Sequence, residues 1–302
     1  MIVVVGESLV DVVEDPDDPR ETVGGSPLNV ATTLAGLDAP TLLITEVGGD
    51  ERGRRIVDAV EASGAELIAA PSPTGRTATA TVTLVGGEPT YDFDIGWALP
   101  HQELPACDAL HVGSLGTVLE PGRDSVLDLV EQAWARDVFV SYDPNVRPPL
   151  VADPTQAWLD VEALAARAHL VKLSVQDVAA LHPGADPEDI ARSLLEGERT
   201  EIVLLTRGGD GAVAFVDDLV ARVPALDVEV VDTVGAGDAF MAATLAVLLE
   251  DSAFGSYGAG VPHDGPRLER MLRAAVEVSG ITCSRPGAAA PRRPELRPDW
   301  PA

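Results

Sequence analysis

The stretch that decides the fold is Asp232-Thr233-Val234-Gly235-Ala236-Gly237-Asp238-Ala239-Phe240. The segment before it, Ala225 to Val231, alternates apolar and acidic residues, and this period of two predicts a strand. The segment after it, Ala239 to Leu249, is almost wholly apolar and lacks proline and glycine, which predicts a buried helix. The stretch is therefore predicted to form a corner between a strand and a helix.

The composition of this corner indicates chemistry on an anion. Gly235 and Gly237 carry no Cβ, so the backbone amides around them can point in one direction. Together with the positive end of the helix dipole, those amides form an anion site. The amides of Gly235, Ala236 and Gly237 would hold a phosphate that is being transferred, while the carboxylate of Asp238 would take a proton from an attacking hydroxyl. The structural alternative is that Asp238 only satisfies unpaired N–H groups of the first helical turn.

Two better-known phosphate motifs do not fit this corner. A Walker A loop needs Gly-Lys-Ser or Gly-Lys-Thr, which does not follow here. A dinucleotide fingerprint needs a third glycine where Phe240 stands. No Gly-x-Gly-x-x-Gly follows the first predicted strand either, which argues against a dinucleotide-dependent oxidoreductase.

Length and composition indicate a globular intracellular protein. The chain of 302 residues, 46% of them hydrophobic, can form one large α/β domain or two small ones. No apolar run approaches the ~18 residues that a membrane span needs, and the apolar start, Met1 to Val5, is too short for a signal peptide. Cys107 and Cys283 lie far apart without metal-ligand spacing and are predicted to be small core residues. We therefore expect a cytoplasmic protein.

The charge limits the partners. A formal charge of −28 argues against nucleic acid and against anionic membranes. A polyphosphate would have to be held by local amides, a metal and a few cationic side chains. Among those cations, Lys172 is the only lysine of the chain.

A second glycine corner lies near the start of the chain. Ile2 to Val5 is a continuous apolar run before Gly6, typical of a strand in a parallel sheet covered on both faces. Further on, Gly24-Gly25-Ser26-Pro27-Leu28-Asn29 forms the corner, and Pro27 can open a helix that runs to about Leu37. Alone, the corner is also compatible with a simple turn. Between the two, Asp11 stands amid valines as either a solvent-side strand residue or a ligand to a polyol.

The two corners together resemble the two signatures of the PfkB (ribokinase-like) family of carbohydrate kinases. The segment Val47 to Gly53 also resembles that family's Gly-x-Asp-x-x-Gly segment, although helix capping is the expected role of Asp50. The resemblance implies a three-layer α/β/α fold with a mostly parallel central sheet, in one kinase domain over residues 1–302. It also implies phosphorylation of a sugar that depends on ATP and Mg²⁺.

The remaining pattern agrees with an α/β fold. Strands are predicted at Thr41–Ile44, Ala109–Gly113, Val138–Tyr142, Leu170–Leu173, Ile202–Thr206 and Ala212–Val216, and helices at Glu51–Ser63, Asp124–Arg136, Thr155–Arg167 and Leu268–Ile281. A turn is expected at 15–19 and a loop at 251–266. His111, inside a strand, is expected to be a satisfied core histidine rather than a catalytic one.

One part of the chain predicts a different kind of sheet. Thr77 to Leu84 alternates strictly, which is typical of a strand with one solvated face. A turn at 86–89 and a returning strand at 90–95 complete a hairpin. By resemblance, segments at about 9–23 and 75–98 form a small β lid over the sugar site. Lids of that family often pair between subunits, so a homodimer is expected.

The resemblance also assigns the acceptor side. Asp143-Pro144-Asn145-Val146-Arg147 follows a strand end, where ligands of open α/β sheets bind, and is similar to the Asp-Pro-Asn-x-Arg of fructokinases and 2-keto-3-deoxygluconate kinases. Arg147 could then meet a phosphate or a substrate oxygen with its planar fork. The residues expected to bind the sugar are Asp11, Gly24, Gly25, Asn29 and Arg147.

On the nucleotide side, Lys172 is expected near the ATP phosphates. The residues expected to bind the nucleotide are Lys172, Ser174, Thr206, Gly208, Gly211, Ala275 and Ser279, with Ala275 and Ser279 in a small-residue wall for adenine. Asp177 stands where the family often has a glutamate that helps to hold magnesium through water. Asp232, with the segment Cys283 to Ala288, resembles a monovalent-cation site, so K⁺ is a possible activator.

Among possible substrates fructose leads, because Gly6-Glu7-x-x-x-Asp11 and Asp143-Pro-Asn-x-Arg147 are both fructokinase-like. The alternative is 2-keto-3-deoxygluconate, whose carboxylate would also suit Arg147. Ribokinase and nucleoside kinase are further alternatives, although Ser26 stands where ribokinases usually carry a lysine. The alternative from another class is a non-catalytic regulator that binds sugar or nucleotide on the same fold.

Overall fold

The computed structural model describes residues 1–14, 19–85, 88–254 and 264–301, with the backbone only at 82–85 and 88–91. The turns predicted at 15–19 and 86–89 and the loop predicted at 251–266 lie wholly or partly outside these residues.

A mixed sheet of nine strands is the centre of the described fold. Seven neighbouring strands run parallel, and two antiparallel strands complete one edge. Numbered along the chain, the order across the sheet is β5 (Glu66–Pro71), β4 (Thr41–Val47), β1 (Ile2–Val5), β8 (Ala109–Gly113), β9 (Phe139–Asp143), β10 (Leu170–Ser174), β11 (Ile202–Thr206), β12 (Ala212–Val216) and β13 (Leu219–Val223).

Helices cover both faces of this sheet. On one face lie α1 (Ser26–Gly36), α2 (Glu51–Ser63), α7 (Ala236–Glu250) and α8 (Gly265–Cys283), and on the other α3 (Gly122–Ala135), α4 (Pro154–Ala165), α5 (Val175–Leu181) and α6 (Pro187–Ser193). Successive strand residues point to opposite faces, so Ile2 and Val4 enter the first core while Val3 and Val5 enter the second. The expected three-layer α/β/α fold is confirmed.

A second, four-stranded sheet has the order β3 (Arg20–Gly24), β2 (Leu9–Glu14), β6 (Ala78–Val85) and β7 (Glu88–Asp94). It is tied to the start of α2 by Asp50, which caps that helix through the N–H of Gly53, as expected. The same carboxylate accepts hydrogen bonds from the N–H and the hydroxyl of Thr77 just before β6. Although burial acts in the opposite direction, these hydrogen bonds lower the pKa of Asp50 to about 2.

The segment Ala225 to Val231 is not a strand, so that prediction is wrong. The alternation of apolar and acidic residues in this segment has a different cause. A cavity is lined by apolar residues of the segment, which include Leu226 and Val228. The N–H of Val231 donates to the carbonyl of Cys283 instead of to a neighbouring strand. A strand needs a ladder partner, and this segment instead packs along the end of α8.

Cys107 and Cys283 are free thiols, but both are only partly buried rather than core residues as predicted. In the described part of the chain, no helix is both long enough and apolar enough to cross a membrane.

Candidate active site

The two glycine corners meet at the carboxyl-terminal end of the parallel strands, where α7 and α1 begin. Gly235 caps α7 in the left-handed conformation, with φ of 74°. A Cβ there would lie 2.4 Å from the Cβ of Ala288, so glycine is required by both conformation and space. This corner places Asp238 in the first turn of α7 with only 5% of its surface exposed.

The carboxylate of Asp238 is held from three directions. Its Oδ1 accepts from the hydroxyl of Ser26 at 2.7 Å and from the side-chain amide of Asn145 at 3.3 Å. Its Oδ2 accepts from the side-chain amide of Asn29 at 2.8 Å. Two segments that are far apart in sequence, the start of α1 and the loop after β9, thus converge on one buried carboxylate.

One side of Asp238 is lined by charged groups. Asp11, on β2, passes over Gly24, where a Cβ would come within 2.3 Å of its Oδ2. The charges of Arg147 and Asp238 both act on the pKa of Asp11. Arg147 donates through one nitrogen to the backbone carbonyl and to the side-chain oxygen of Asn145. We call Asp11, Glu7 and Arg147 the acceptor-side group.

The pKa values of two acids in this group are strongly raised. Burial raises the pKa of Asp11 to about 6; Arg147 lowers it, and the charge of Asp238 raises it. Burial also raises the pKa of Glu7 to about 7, although the N–H of Gly116 donates to its Oε2 at 2.7 Å. Both shifts follow from placing carboxylates in a site with little water.

We expect Glu7→Gln to stabilise the protein in a pH-dependent way. Glu7 is 2% exposed, and its pKa rises from 4.5 to about 7 on folding. Between these values the folded state keeps a proton that the unfolded chain releases, so stability falls as the pH rises through this window. Removing the ionisable group should therefore raise the free energy of unfolding by about 3 kcal/mol at pH 8 and by little near pH 4.5.

Urea unfolding of both proteins from pH 4.5 to 8 measures this difference. The control is Glu61→Gln, on the exposed side of α2, which removes one negative charge from the same acidic chain. A difference between Glu7→Gln and wild type that does not change with pH would contradict the prediction.

Beside the start of α7 lies a cavity of about 510 Å³. Almost all the residues predicted to bind a nucleotide line it: Lys172, Ser174, Thr206, Gly208, Gly211 and Ser279. Ala236 and Gly237 of the α7 corner line it as well. The hydroxyl of Ser279 also donates to the backbone carbonyl of Ala236, which fixes α8 to that corner. Asn145 lines this cavity as well and so connects it to Asp238.

Lys172 reaches the cavity from inside the sheet. Its ammonium is 2.7 Å from Oδ2 of Asp143, and the two side chains are only 3% and 1% exposed. Burial opposes the charge of Lys172, but Asp143 and the neighbouring acids raise its pKa. A Cβ at Gly237 would lie 3.2 Å from the ammonium nitrogen. The ammonium therefore borders the start of α7 at the cavity wall.

Three residues that were predicted to bind the nucleotide or a metal do not line this cavity. Ala275 is fully buried in the core and does not line the cavity; Val276, Ser279, Gly280 and Cys283 form the lining stripe of α8. Asp177 is 4% exposed, also away from the cavity lining, and accepts from the N–H of Val146 and from the N–H and hydroxyl of Ser174. Asp232 accepts from the N–H groups of Val234 and Gly287, which joins the α7 corner to the closing segment.

These contacts indicate whether side chains of this chain can hold magnesium. Among the described residues, no group of three or more acidic, histidine or cysteine side chains could hold an ion. The lone pairs of Asp177 are largely taken by protein donors, as in a helix cap. A protein-held magnesium site therefore does not fit these residues, whereas a magnesium ion that arrives bound to nucleotide phosphates does not need one.

His111 is a buried core histidine, as expected. Its Nδ1 lies 2.9 Å from the hydroxyl of Ser141 on the neighbouring strand. Burial first, and then the charge of Lys172, lower its pKa to about 3, so the ring is neutral.

Sequence reasoning missed four members of this site. Ser26 and Asn145 contact Asp238, Asp143 pairs with Lys172, and Glu7 is a buried acid of the acceptor side. Two signals were available. A lone lysine inside an apolar strand requires a nearby carboxylate, and all four residues stand inside motifs that were already singled out.

Comparisons with known proteins show the family and the fold. The chain matches the family model described as pfkB family carbohydrate kinase over residues 1–295. It is 31% identical to a fructokinase of Rhizobium leguminosarum bv. trifolii over 270 residues, 83% of this chain and 81% of the relative. It is also 30% identical to a fructokinase of Salmonella typhimurium over 94% of both chains. A fructokinase of Xylella fastidiosa solved with bound ATP has a TM-score of 0.82 at 24% identity, covering 97% of this chain and 96% of that one, and shows the same fold.

The fold and these matches define a phosphotransferase with a buried acid, Asp238, at the end of its parallel sheet. The chain belongs to the pfkB family of carbohydrate kinases. It is therefore a sugar kinase, with an alcohol as the phosphoryl acceptor.

Proposed function

We propose that this sugar kinase transfers the γ-phosphoryl group of ATP to a primary hydroxyl of fructose. One observation carries the proposal. Asp238 accepts hydrogen bonds from Asn29, a proposed sugar contact, and from Asn145, which lines the same cavity as Lys172. A base in that position can meet a hydroxyl on one side and a phosphate on the other.

Asp238 acts as the general base. It takes the proton of the acceptor hydroxyl, whose oxygen attacks the γ-phosphorus while ADP leaves on the opposite side. The amides of Gly235, Ala236 and Gly237, with the ammonium of Lys172, stabilise the charge on the transferred group. A magnesium ion that arrives with the nucleotide would supply positive charge against the phosphates.

The cavity residues hold the nucleotide. Lys172 and Ser174 lie on the side of the phosphates. A loop that includes Thr206, Gly208 and Gly211 lies beside the nucleotide. Ser279 lines the cavity from α8. Asp177, whose carboxylate accepts hydrogen bonds from Val146 and Ser174, is proposed to contact magnesium only through water. Asp232 remains the proposed contact for K⁺, because it links the two segments that would surround such an ion.

The charges of the acceptor side favour a neutral sugar. Asp11, Gly24, Gly25, Asn29 and Arg147 are the proposed sugar contacts. The guanidinium of Arg147 is already bonded to Asn145, and its charge acts on two buried acids, Glu7 and Asp11. A carboxylate substrate such as 2-keto-3-deoxygluconate would have to compete with these acids for the guanidinium and would lie near the carboxylate of Asp238. Fructose would not, and the relatives reported above carry the name fructokinase.

Residues 1–302 are proposed to be one kinase domain in which the four-stranded sheet, at about 9–23 and 75–98, is the lid. Asp11 supports this, because it lies on β2 of that sheet and the charge of Asp238 acts on its pKa. Dimerisation through the lid and a cytoplasmic location remain predictions. Sedimentation of the purified protein tests the first, and cell fractionation tests the second.

An ADP-release assay over a panel of sugars tests the substrate. We expect fructose to give a kcat/KM at least about tenfold above that of 2-keto-3-deoxygluconate, ribose or nucleosides. Each sugar is assayed with and without K⁺. A preference for the keto-acid would contradict the charge argument, and the absence of phosphorylation on the whole panel would contradict the proposed activity.

A further inference from the structure

Ser26 is a buried hydroxyl with a defined direction. It is the first residue of α1, it is 5% exposed, and its Oγ lies 2.7 Å from Oδ1 of Asp238. Gly25 fixes this placement, because its φ of 106° and a Cβ clash of 2.7 Å with the carbonyl of Glu7 exclude a side chain there. The chain therefore enters α1 along a path that presents Ser26 to the carboxylate.

The donors around Asp238 are distributed unequally between its two oxygens. A carboxylate offers about four lone-pair sites, two on each oxygen. Oδ1 accepts from both Ser26 and Asn145, whereas Oδ2 accepts from Asn29. Counted over the described residues, Oδ1 is saturated and Oδ2 has one lone pair left.

We propose that Ser26 is a positioning residue that, with Asn145, saturates Oδ1 of Asp238 and so makes Oδ2 the oxygen that accepts the proton of the acceptor hydroxyl. The inference rests on the proposed base role of Asp238. In the step, the O–H bond of the acceptor breaks and its proton moves to Oδ2. The oxygen forms the new bond to the γ-phosphorus, and the electron pair of the broken P–O bond leaves on ADP.

A hydroxyl suits this task better than a cation or an apolar group. It orients the carboxylate through one short hydrogen bond without neutralising its charge, so the base stays reactive. An ammonium at the same place would form an ion pair with Asp238 and weaken it as a base. An apolar side chain would leave Oδ1 open to the acceptor or to water and let the carboxylate rotate.

The variants Ser26→Thr and Ser26→Val provide the test. They are nearly equal in shape, but only threonine keeps the hydroxyl. We expect kcat to fall about tenfold in Ser26→Val and to stay within about threefold of wild type in Ser26→Thr, with KM for ATP unchanged in both. The acid limb of the kcat–pH profile should move to higher pH in Ser26→Val, because a donor to the ionised carboxylate has been removed.

Two further variants separate this effect from packing. Ser26→Ala removes the hydroxyl without adding volume and should behave like Ser26→Val. Thr32→Val removes a hydroxyl that only bonds carbonyls within α1, and it should leave kcat and the pH profile unchanged.

Equal kcat values and equal pH profiles for the threonine and valine variants would overturn the proposal, whether both are active or both are impaired. Asp238→Asn distinguishes this failure from a failure of the proposed function. If Asp238→Asn is inactive while Ser26→Val matches Ser26→Thr, only the role of Ser26 is wrong. If Asp238→Asn turns over normally, the base role itself is wrong.

Discussion

Asp238→Asn is expected to lower kcat by a factor of about 10² to 10⁴, the usual contribution of general base catalysis. The amide keeps the size of the side chain but cannot take a proton from the acceptor hydroxyl. KM for ATP should change little, because the cavity residues that hold the nucleotide are untouched.

The fold should survive this substitution. One amide oxygen can still accept from Asn29 or Asn145, and the hydroxyl of Ser26 can rotate and accept from the new amide. Replacing one acid also removes a negative charge that acts on Asp11. We expect the free energy of unfolding to change by about 1–2 kcal/mol at most.

The matched control is Asp264→Asn, the same change at the N-cap of α8, where the carboxylate accepts from the N–H of Arg267. That variant should keep its turnover, because Asp264 caps a helix and has no part in the chemistry. Residual turnover of Asp238→Asn within about threefold of wild type would show that Asp238 is a structural helix residue and not the base.

Lys172→Met is expected to lower the free energy of unfolding by about 3–5 kcal/mol, a large share of the 5–15 kcal/mol of an ordinary domain. The substitution leaves Asp143 buried at 1% exposure without its cation. The N–H of Asn145 still donates to that carboxylate, but a single neutral donor does not replace an ammonium. Activity should fall as well, because the ammonium borders the start of α7.

The size of this loss should depend on pH. Burial already raises the pKa of Asp143, and removing Lys172, which lowers it, must raise it further. A carboxyl whose folded pKa is raised costs stability above that pKa and regains it as the pH falls, because the folded state then takes up a proton. The difference from wild type should therefore be largest near pH 8 and shrink toward pH 5.

Chemical unfolding of four proteins measures the contribution of the pair Lys172 and Asp143. They are the wild type, Lys172→Met, the double variant with Asp143→Asn, and Arg54→Met. Adding Asp143→Asn to Lys172→Met removes the unpaired charge and should restore most of the lost stability. Arg54→Met serves as the control for an exposed pair, because Arg54 and its partner Glu51 are 61% and 76% exposed. That change should cost less than about 1 kcal/mol. A loss of that size for Lys172→Met would contradict the view that the buried pair is strongly coupled.

The local elements of the fold could be predicted from the sequence because each depends on near neighbours. The apolar run Ile2 to Val5 became the buried strand β1, and the apolar segment after Gly237 became α7. Asp50 caps α2 as its position before the helix indicated. Backbone conformation, helix caps and hydrophobic periods act over a few residues, so a single segment contains their cause.

The error at Ala225 to Val231 has the opposite origin. Alternation shows that one side of a segment is covered, but not what covers it. Here the cover is a cavity and the end of α8, so no ladder forms. Ala275 was misplaced for a similar reason, because α8 is enclosed on more than one side and its small residues do not mark the face toward the cavity.

The opening stretch, Asp232 to Phe240, determined by itself that a helix would begin with glycine amides and an acid at its first turn. Steric freedom at glycine and the helix dipole are properties of that sequence alone. Only the tertiary structure decided what the acid contacts. Strands and helices that are far apart in the chain bring Ser26, Asn29 and Asn145 onto Asp238. The reason is physical: which side chains converge on a buried group depends on the register of the whole sheet, to which every strand contributes.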